Sequence, residues 1–425
     1  MLTALFLLIF LGLIFYRIPI ALSMLISSVF YLLVSGDIAL EIVIQRMVAG
    51  ANSFSLLAVP LFIFAGELMA KAGLTERITN FARAAVGHIT GGLGHVAILA
   101  NALMGAISGS AIAGSASTGM LLIPGMVNAG YTRAYSAALI SSSAILAPII
   151  PPSITMIVYG VATSTPVGKL FIAGIVPGIA IALALMVVNF IYSKKQGIPK
   201  EKRLSFREFM KALKESIVAL LMPVFVLGGI WGGVVTPTEA AGLAVLYSFI
   251  VWTVSNKKVN IKDLAKLCLT TLNTTAKIMF IICAASLFGW LLTYQNVASD
   301  FGKILFGITT NKIILLILIN IILLVLGLFM ETVAVVLMAV PVLMPIITQI
   351  GVDPVHFGVL MTVNLMIGCL TPPLGVVMFV VNEIADITVS EYVKTVYPFW
   401  IALTFMLFLL TFYPQITLWL PNLLR

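Results

Sequence analysis

Long apolar stretches separated by short polar clusters run through the whole chain, as in residues 1–15 and 313–329. A bilayer core of about 30 Å takes about 20 residues of helix, and about ten or more segments of that kind fit. The pattern predicts an all-α polytopic membrane protein. The first run has neither the basic flank nor the small-residue cleavage site of a signal peptide and reads as a retained helix. One stretch departs from the pattern. In GAISGSAIAGSASTG, Gly105 to Gly119, only Ile107 and Ile112 are large, and the remainder is glycine, alanine and five hydroxyl residues. It has neither the bulk of a core nor the charge of a solvated loop.

Composition strengthens the membrane reading. Hydrophobic residues make up 61% and charged residues 9%, with a mean hydropathy of +1.17. A soluble domain carries about a quarter charged residues, so this chain could not clothe a water-facing surface. Cys268, Cys283 and Cys369 lie in apolar runs without metal-ligand spacing, which points to buried thiols and not to a disulfide framework. His88, His95 and His356 also lack that spacing and are assigned no chemistry.

The net charge of +9 is informative through its placement. Eight Lys/Arg fall between Lys194 and Lys214, and Lys257, Lys258, Lys262 and Lys266 follow two segments later. The positive-inside rule puts both groups in the cytoplasm. Counting outward, eighteen basic residues fall inside and five outside (Arg46, Lys169, Lys303, Lys312 and Arg425), with Lys277 inside a helix. Both termini are then outside. Orientation and contact with anionic lipid account for the basic loops, and no nucleic-acid partner is expected.

The chain also carries an internal register. Pro124, Gly130, Pro151 and Pro152 recur as Pro345, Gly351, Pro372 and Pro373, each displaced by 221 positions. What persists is the set of places where a helix must stop or bend. On the charge-based topology the first copy begins outside near Ser55 and the second inside near Thr270, so the repeats are inverted, as in many transporters. The expected organisation is N-terminal scaffold helices over 1–54, a first repeat over 55–192, a basic loop with connecting scaffold helices over 193–269, and a second repeat over 270–425.

Within each repeat two interruptions are expected. Residues 91–126 and 311–348 are too apolar for one crossing and read as re-entrant hairpins, the first with its tip near Ser108 to Ala111. Small-xxx-small packing, as in Gly105 to Gly109, explains such a stretch structurally. The register nevertheless carries Ser110 onto Glu331, an ionisable residue inside the membrane. Helices over 134–165 and 355–385 are broken by Pro151-Pro152 and Pro372-Pro373, which free carbonyls suited to hard cations. The half after the first break offers its positive N-terminal end, with Ser153 and Thr155, to a substrate carboxylate. A kinked, merely packed helix is the plain alternative.

Other motifs are structural. TPTEAAG, Thr236 to Gly242, has the form of a capped helix start. Glu67 stands four residues before Lys71 and is expected to pair with it; Glu383 is less defined. No phosphate loop is present, since Gly160 and Gly168-Lys169 are seven residues apart and Leu170 replaces the Ser/Thr, so no ATP is used. No enzyme is expected, because Ser108 has no matched histidine base.

Five stretches, VPLFIFAGELMAKAGL, ISGSAIAGSAS, LAPIIPPSITMIVYG, GGIWGGVVTPTEAAG and GCLTPPLGVVMFV, resemble the large membrane subunit of TRAP transporters, the tripartite ATP-independent periplasmic family. The resemblance spans about residues 1 to 420. It implies an elevator-type fold in the bacterial inner membrane, uptake of an organic acid such as a C4-dicarboxylate or sialic acid, and coupling to two or more sodium ions. It also implies a small four-helix membrane subunit and a periplasmic substrate-binding protein as partners. Carried over by position, one sodium site uses Ser108, Gly109 and Ser110 with Ala147 and Pro148, and the other Met330, Glu331 and Thr332 with Gly368 and Cys369. Ser143, Asn364 and Thr371 are counted with these ligands, and Ser110, Ser115, Ser153 and Thr155 with the substrate. A self-sufficient elevator carrier without a binding protein would share this core, and Glu331 could serve as a sodium ligand or a proton carrier.

Overall fold

The computed structural model describes residues 2–255 and 260–424, so Lys257, Lys258 and Arg425 lie outside the described residues. The described residues form twenty α-helices and no strand. An N-terminal group comprises α1 (Leu2–Phe15), α2 (Ile20–Ser35), α3 (Glu41–Ala51), α4 (Ala58–Lys71) and α5 (Leu74–Val86). Then come α6 (Gly92–Ser108), α7 (Ala111–Asn128), α8 (Arg133–Ala144), α9 (Ile154–Thr163) and α10 (Val167–Lys195). The connecting helices are α11 (Phe206–Trp231), α12 (Pro237–Ser255), α13 (Ile261–Tyr294) and α14 (Val297–Ile308). The chain closes with α15 (Lys312–Phe329), α16 (Thr332–Gln349), α17 (Pro354–Gly368), α18 (Val376–Ala385), α19 (Val389–Phe412) and α20 (Gln415–Leu423). Eight helices are long and apolar enough to cross a membrane, and six more apolar helices are shorter.

The register of backbone punctuators acts where chemistry requires. Antiparallel α6 and α7 meet at Gly109, whose φ of +60° is a conformation that favours glycine. Pro151 and Pro152 cannot donate, so α8 stops at Ala144 and α9 starts only at Ile154. Pro372 and Pro373 likewise separate α17 from α18. Both Pro-Pro bonds are cis.

Packing then crosses the two halves. Helix α18 lies on α7 and α8, while α9 lies on α16 and α17. The second half of each broken helix therefore covers the other copy's hairpin. Arg133 at the start of α8 and Asp386 after α18 close this junction with an ion pair at 3.6 Å. Elsewhere α4 packs on α12, and α13 on α2, α3, α4 and α16.

Thr236 and Glu239 form the capping box in full: the Glu239 carboxylate accepts from the Thr236 N–H at 2.7 Å, and the Thr236 hydroxyl accepts from the Glu239 N–H at 3.3 Å. The Glu67–Lys71 pair is corrected. Lys71 instead meets Asp263 at 4.0 Å, because α13 begins beside the end of α4 and offers a carboxylate there. All three cysteines are free, but only Cys369 is buried, Cys268 and Cys283 lying on partly covered faces of α13.

Candidate functional site at the hairpin tips

Two junctions bring the expected residues together. At the first, a Cβ on Gly105 would sit 2.5 Å from the Cα of Ala147, and one on Gly109 2.7 Å from the carbonyl oxygen of Pro152. The Ser108–Ser110 tip is thus pressed on the break between α8 and α9. Gly66 of α4 backs it, its missing Cβ 3.1 Å from the Cα of Ser108. At the second junction a Cβ on Gly368 would fall 2.6 Å from the carbonyl carbon of Gly327. The Leu374 N–H donates to the Leu328 carbonyl at 3.2 Å, and Thr332 Oγ1 lies 3.3 Å from Cys369 Sγ. No Cβ larger than hydrogen fits at Gly368, which explains why that position needs glycine.

The breaks decide which carbonyls are free. In an α-helix the carbonyl of residue i accepts from the N–H of i+4. For Ala147 and Pro148 those positions are Pro151 and Pro152, and for Gly368 and Cys369 they are Pro372 and Pro373. All four carbonyls lose their helical donor. Pro148 O is recovered by the Ser153 hydroxyl at 2.5 Å, and Gly368 O by the Thr371 N–H at 2.9 Å. Among the described residues the carbonyls of Ala147 and Cys369 receive no replacement. Of these four, one carbonyl in each break thus stays unpaired.

Position 110 and its partner 331 do the same local work. Ser110 caps α7, its Oγ accepting from the Ala113 N–H at 3.3 Å, and Glu331 caps α16, its Oε2 accepting from the Ala334 N–H at 3.4 Å. Ser153 caps α9 as acceptor from the Met156 N–H at 3.2 Å, so its hydroxyl is engaged on both sides. Thr155 is buried in the first turn of that helix. Ser115 is fully buried on α7 and donates to the Ile112 carbonyl at 2.9 Å, while Thr371 donates to Ile367 O at 3.0 Å.

Ser143 and Asn364, equivalent in the 221 register, both anchor a hairpin to its break. Ser143 accepts from the Asn101 side chain of α6 at 2.7 Å, and Asn101 accepts from Thr118 of α7 at 2.9 Å. The Asn364 amide donates to Asn320 of α15 at 2.9 Å, and Asn320 donates to Thr411 at 2.9 Å. Asn101, Asn320, Thr118 and Thr411 escaped the sequence reading. The signal was a lone asparagine in each apolar hairpin arm, hidden because Asn101 and Asn320 are not in the 221 register. Also missed was Asn382 on the covered face of α18, whose amide nitrogen and oxygen are both buried without a hydrogen-bond partner. Ser142 Oγ and Asn364 Oδ1 are buried and unpartnered as well. Such groups are rare in a packed interior.

The family model for the tripartite ATP-independent periplasmic transporter, DctM component, matches residues 7–416. The chain belongs to the DctM family of TRAP transporters. It is 40% identical to the sialic acid TRAP transporter large permease protein SiaM of Vibrio cholerae, with 97% of each chain aligned. It is 38% identical to the C4-dicarboxylate TRAP transporter large permease protein DctM of Pseudomonas aeruginosa, over 88% of this chain and 87% of that one. In fold it is similar to the YdaH transporter of Alcanivorax borkumensis, with a TM-score of 0.61, 15% identity and 88% of each chain covered. This DctM-family chain is therefore a multi-pass membrane protein of the secondary transporters, and its relatives are permeases.

Proposed function

We infer that the protein is the large subunit of a sodium-driven importer of an organic anion in a bacterial inner membrane. The observation that carries this reading is the pair of tip-and-break junctions, in each of which a break with an unpaired carbonyl, that of Ala147 or Cys369, packs against a hairpin tip capped by Ser110 or Glu331. Sodium, as transported ion, takes about six hard oxygen donors, by analogy with other hard cations. Carbonyls, the Ser108 and Thr332 hydroxyls and the Glu331 carboxylate are donors of that kind. The substrate anion would lie between the junctions, where Ser110, Ser115, Ser153 and Thr155 line the first half and the helix N-termini favour negative charge. Relatives are named for sialic acid, C4-dicarboxylate and isethionate, each an organic anion.

The two hairpins and broken helices would move together as one body against the α2–α5 and α11–α13 scaffold, in an elevator. A small membrane subunit and a periplasmic binding protein complete the assembly, and both termini lie on the periplasmic side. Proteoliposomes test the reading. With binding protein and small subunit present, an inward sodium gradient should drive anion uptake, and the large subunit alone should give little. Robust uptake by this chain alone would support the self-sufficient carrier, and uptake on a proton gradient without sodium would remove the sodium coupling.

A further inference from the structure

A cavity of about 210 Å³ lies between α1 and α13 on one side and α14, α15 and α16 on the other. Every side chain that faces it is apolar. Its wall on α16, Met338 to Leu343, is the middle third of a helix long and apolar enough to cross a membrane, and α15 is another such helix. Leu11 is 55% exposed, so the cavity opens outward beside it. On the same helices Leu8, Ile321 and Val325 are exposed as well and continue the apolar surface. Helix α14 turns Val297 and Phe301 to the cavity and an exposed Asp300–Lys303 ion pair to another face. That is the pattern of an amphipathic helix lying at a membrane surface, with its apolar face toward the acyl chains.

The first half of the chain fills the matching place with protein. In the 221 register α5, α6 and α7 answer to α14, α15 and α16, and α2 answers to α12. Helix α11, which precedes α12 as α1 precedes α2, packs on both α5 and α6. The Phe209 and Phe81 rings lie 5.9 Å apart there, and the Ser216 hydroxyl donates to the Arg77 carbonyl at 2.7 Å. Helix α1 packs instead on α2, and its Phe6 and Phe10 reach Phe288 of α13 at 4.9 and 4.6 Å. Among the described residues no comparable packing of α1 on α14 or α15 closes the second half. An unfilled space there would forfeit the contacts that α11 makes in the first half.

Size and chemistry select the occupant. A cavity of about 150 Å³ lined by leucine, isoleucine and phenylalanine stays dry and takes one benzene, so a slightly larger one of the same lining rejects water and holds a short length of hydrocarbon. An organic anion would find no donor in it. A helix with its side chains is about 10 Å across, too wide for the space. We infer that the cavity between α1, α13 and the α14–α16 segment is a binding site for one acyl chain of a membrane phospholipid, which enters past Leu11. The inference follows from the membrane embedding of the chain and requires neither sodium coupling nor an elevator. In the second half of the molecule lipid thus does for the hairpin what α11 does in the first.

Nanodiscs containing a phosphatidylethanolamine with a diazirine near the end of one acyl chain test the site, on the full chain purified with whatever subunits accompany it. Irradiation and peptide mass spectrometry should place adducts on Phe301, Leu326 and Met338, with a yield that saturates as the probe fraction rises. Adducts at Val187, on the exposed face of α10, should rise in proportion to the probe instead. Ala339→Phe, which fills the cavity from within, and Leu11→Trp, which narrows its mouth at an exposed position, should each cut the cavity adducts about tenfold and leave those at Val187 unchanged. Adducts at Val187 with none in the cavity, cavity adducts that never saturate, or cavity adducts unchanged in both variants overturn the site. So does a benzophenone at Leu326 that joins another protein chain. Uptake assays keep the two readings apart: saturable labelling of the cavity in a protein that transports no anion would leave the site standing and refute the transporter reading alone.

Discussion

The two hairpin tips solve one backbone problem with different chemistry. At the first, Gly109 turns the chain at φ +60° and neutral Ser110 caps the returning helix. At the second, Met330 turns it in extended backbone at φ −137° and Glu331 makes the equivalent cap. The cap distances, 3.3 and 3.4 Å, are nearly equal. A serine is therefore sufficient for the cap, and glutamate is not among the favoured capping residues. Placing an ionisable side chain at membrane depth costs about 2.5 kcal/mol or more unless it is satisfied. The comparison teaches that Glu331 is present for a reason the cap does not supply, and ion coordination is that reason in our proposal.

The strongest way to break the comparison is steric. Gly368→Val should force the second junction open, since even its Cβ would fall 2.6 Å from the Gly327 backbone, and overpacking of this kind costs about 3 kcal/mol. Thermal unfolding in detergent should show it, while Ala147→Gly at the paired position should move the midpoint far less. Equal effects at both would mean the junctions are not built differently. Next comes charge. Glu331→Gln keeps an oxygen for the cap and removes the charge, and should raise the sodium concentration for half-maximal uptake about tenfold, ~1.4 kcal/mol. An unchanged sodium curve would reduce Glu331 to a cap.

Ser110→Ala removes one neutral oxygen and should cost about 1 kcal/mol, roughly fivefold in the same assay. If it proves the more damaging of the two, the first tip is the dominant ion site.

How much of this was legible depended on how local the cause was. Gly109, Pro151, Pro152, Pro372 and Pro373 act on their own backbone, so the stops at Ser108, Ala144 and Gly368 and the carbonyls set free followed from residue chemistry. The Thr236 cap was readable for the same reason. Lys71 was misassigned because its partner, Asp263, is remote in sequence and arrives only through the packing of α13 on α4. The Asn101–Ser143 and Asn320–Asn364 clasps were invisible because each hydrogen bond spans some forty residues and depends on side-chain direction. The placement of α9 on α16 and α18 on α7 lay beyond any motif, since apolar surfaces of similar composition do not name their partners.

That exchange of half-helices bears on how such a chain arises. Each copy of the 221-residue register leaves its hairpin covered by an element of the other. A single copy would leave its hairpin and its second half-helix both without cover, and it could supply both only by pairing with a second copy. Fusion of the two copies in one chain makes that exchange obligatory. Fusion also freed the two tips to diverge, so that one position could become a serine and its twin a carboxylate, a division of labour no identical pair could hold.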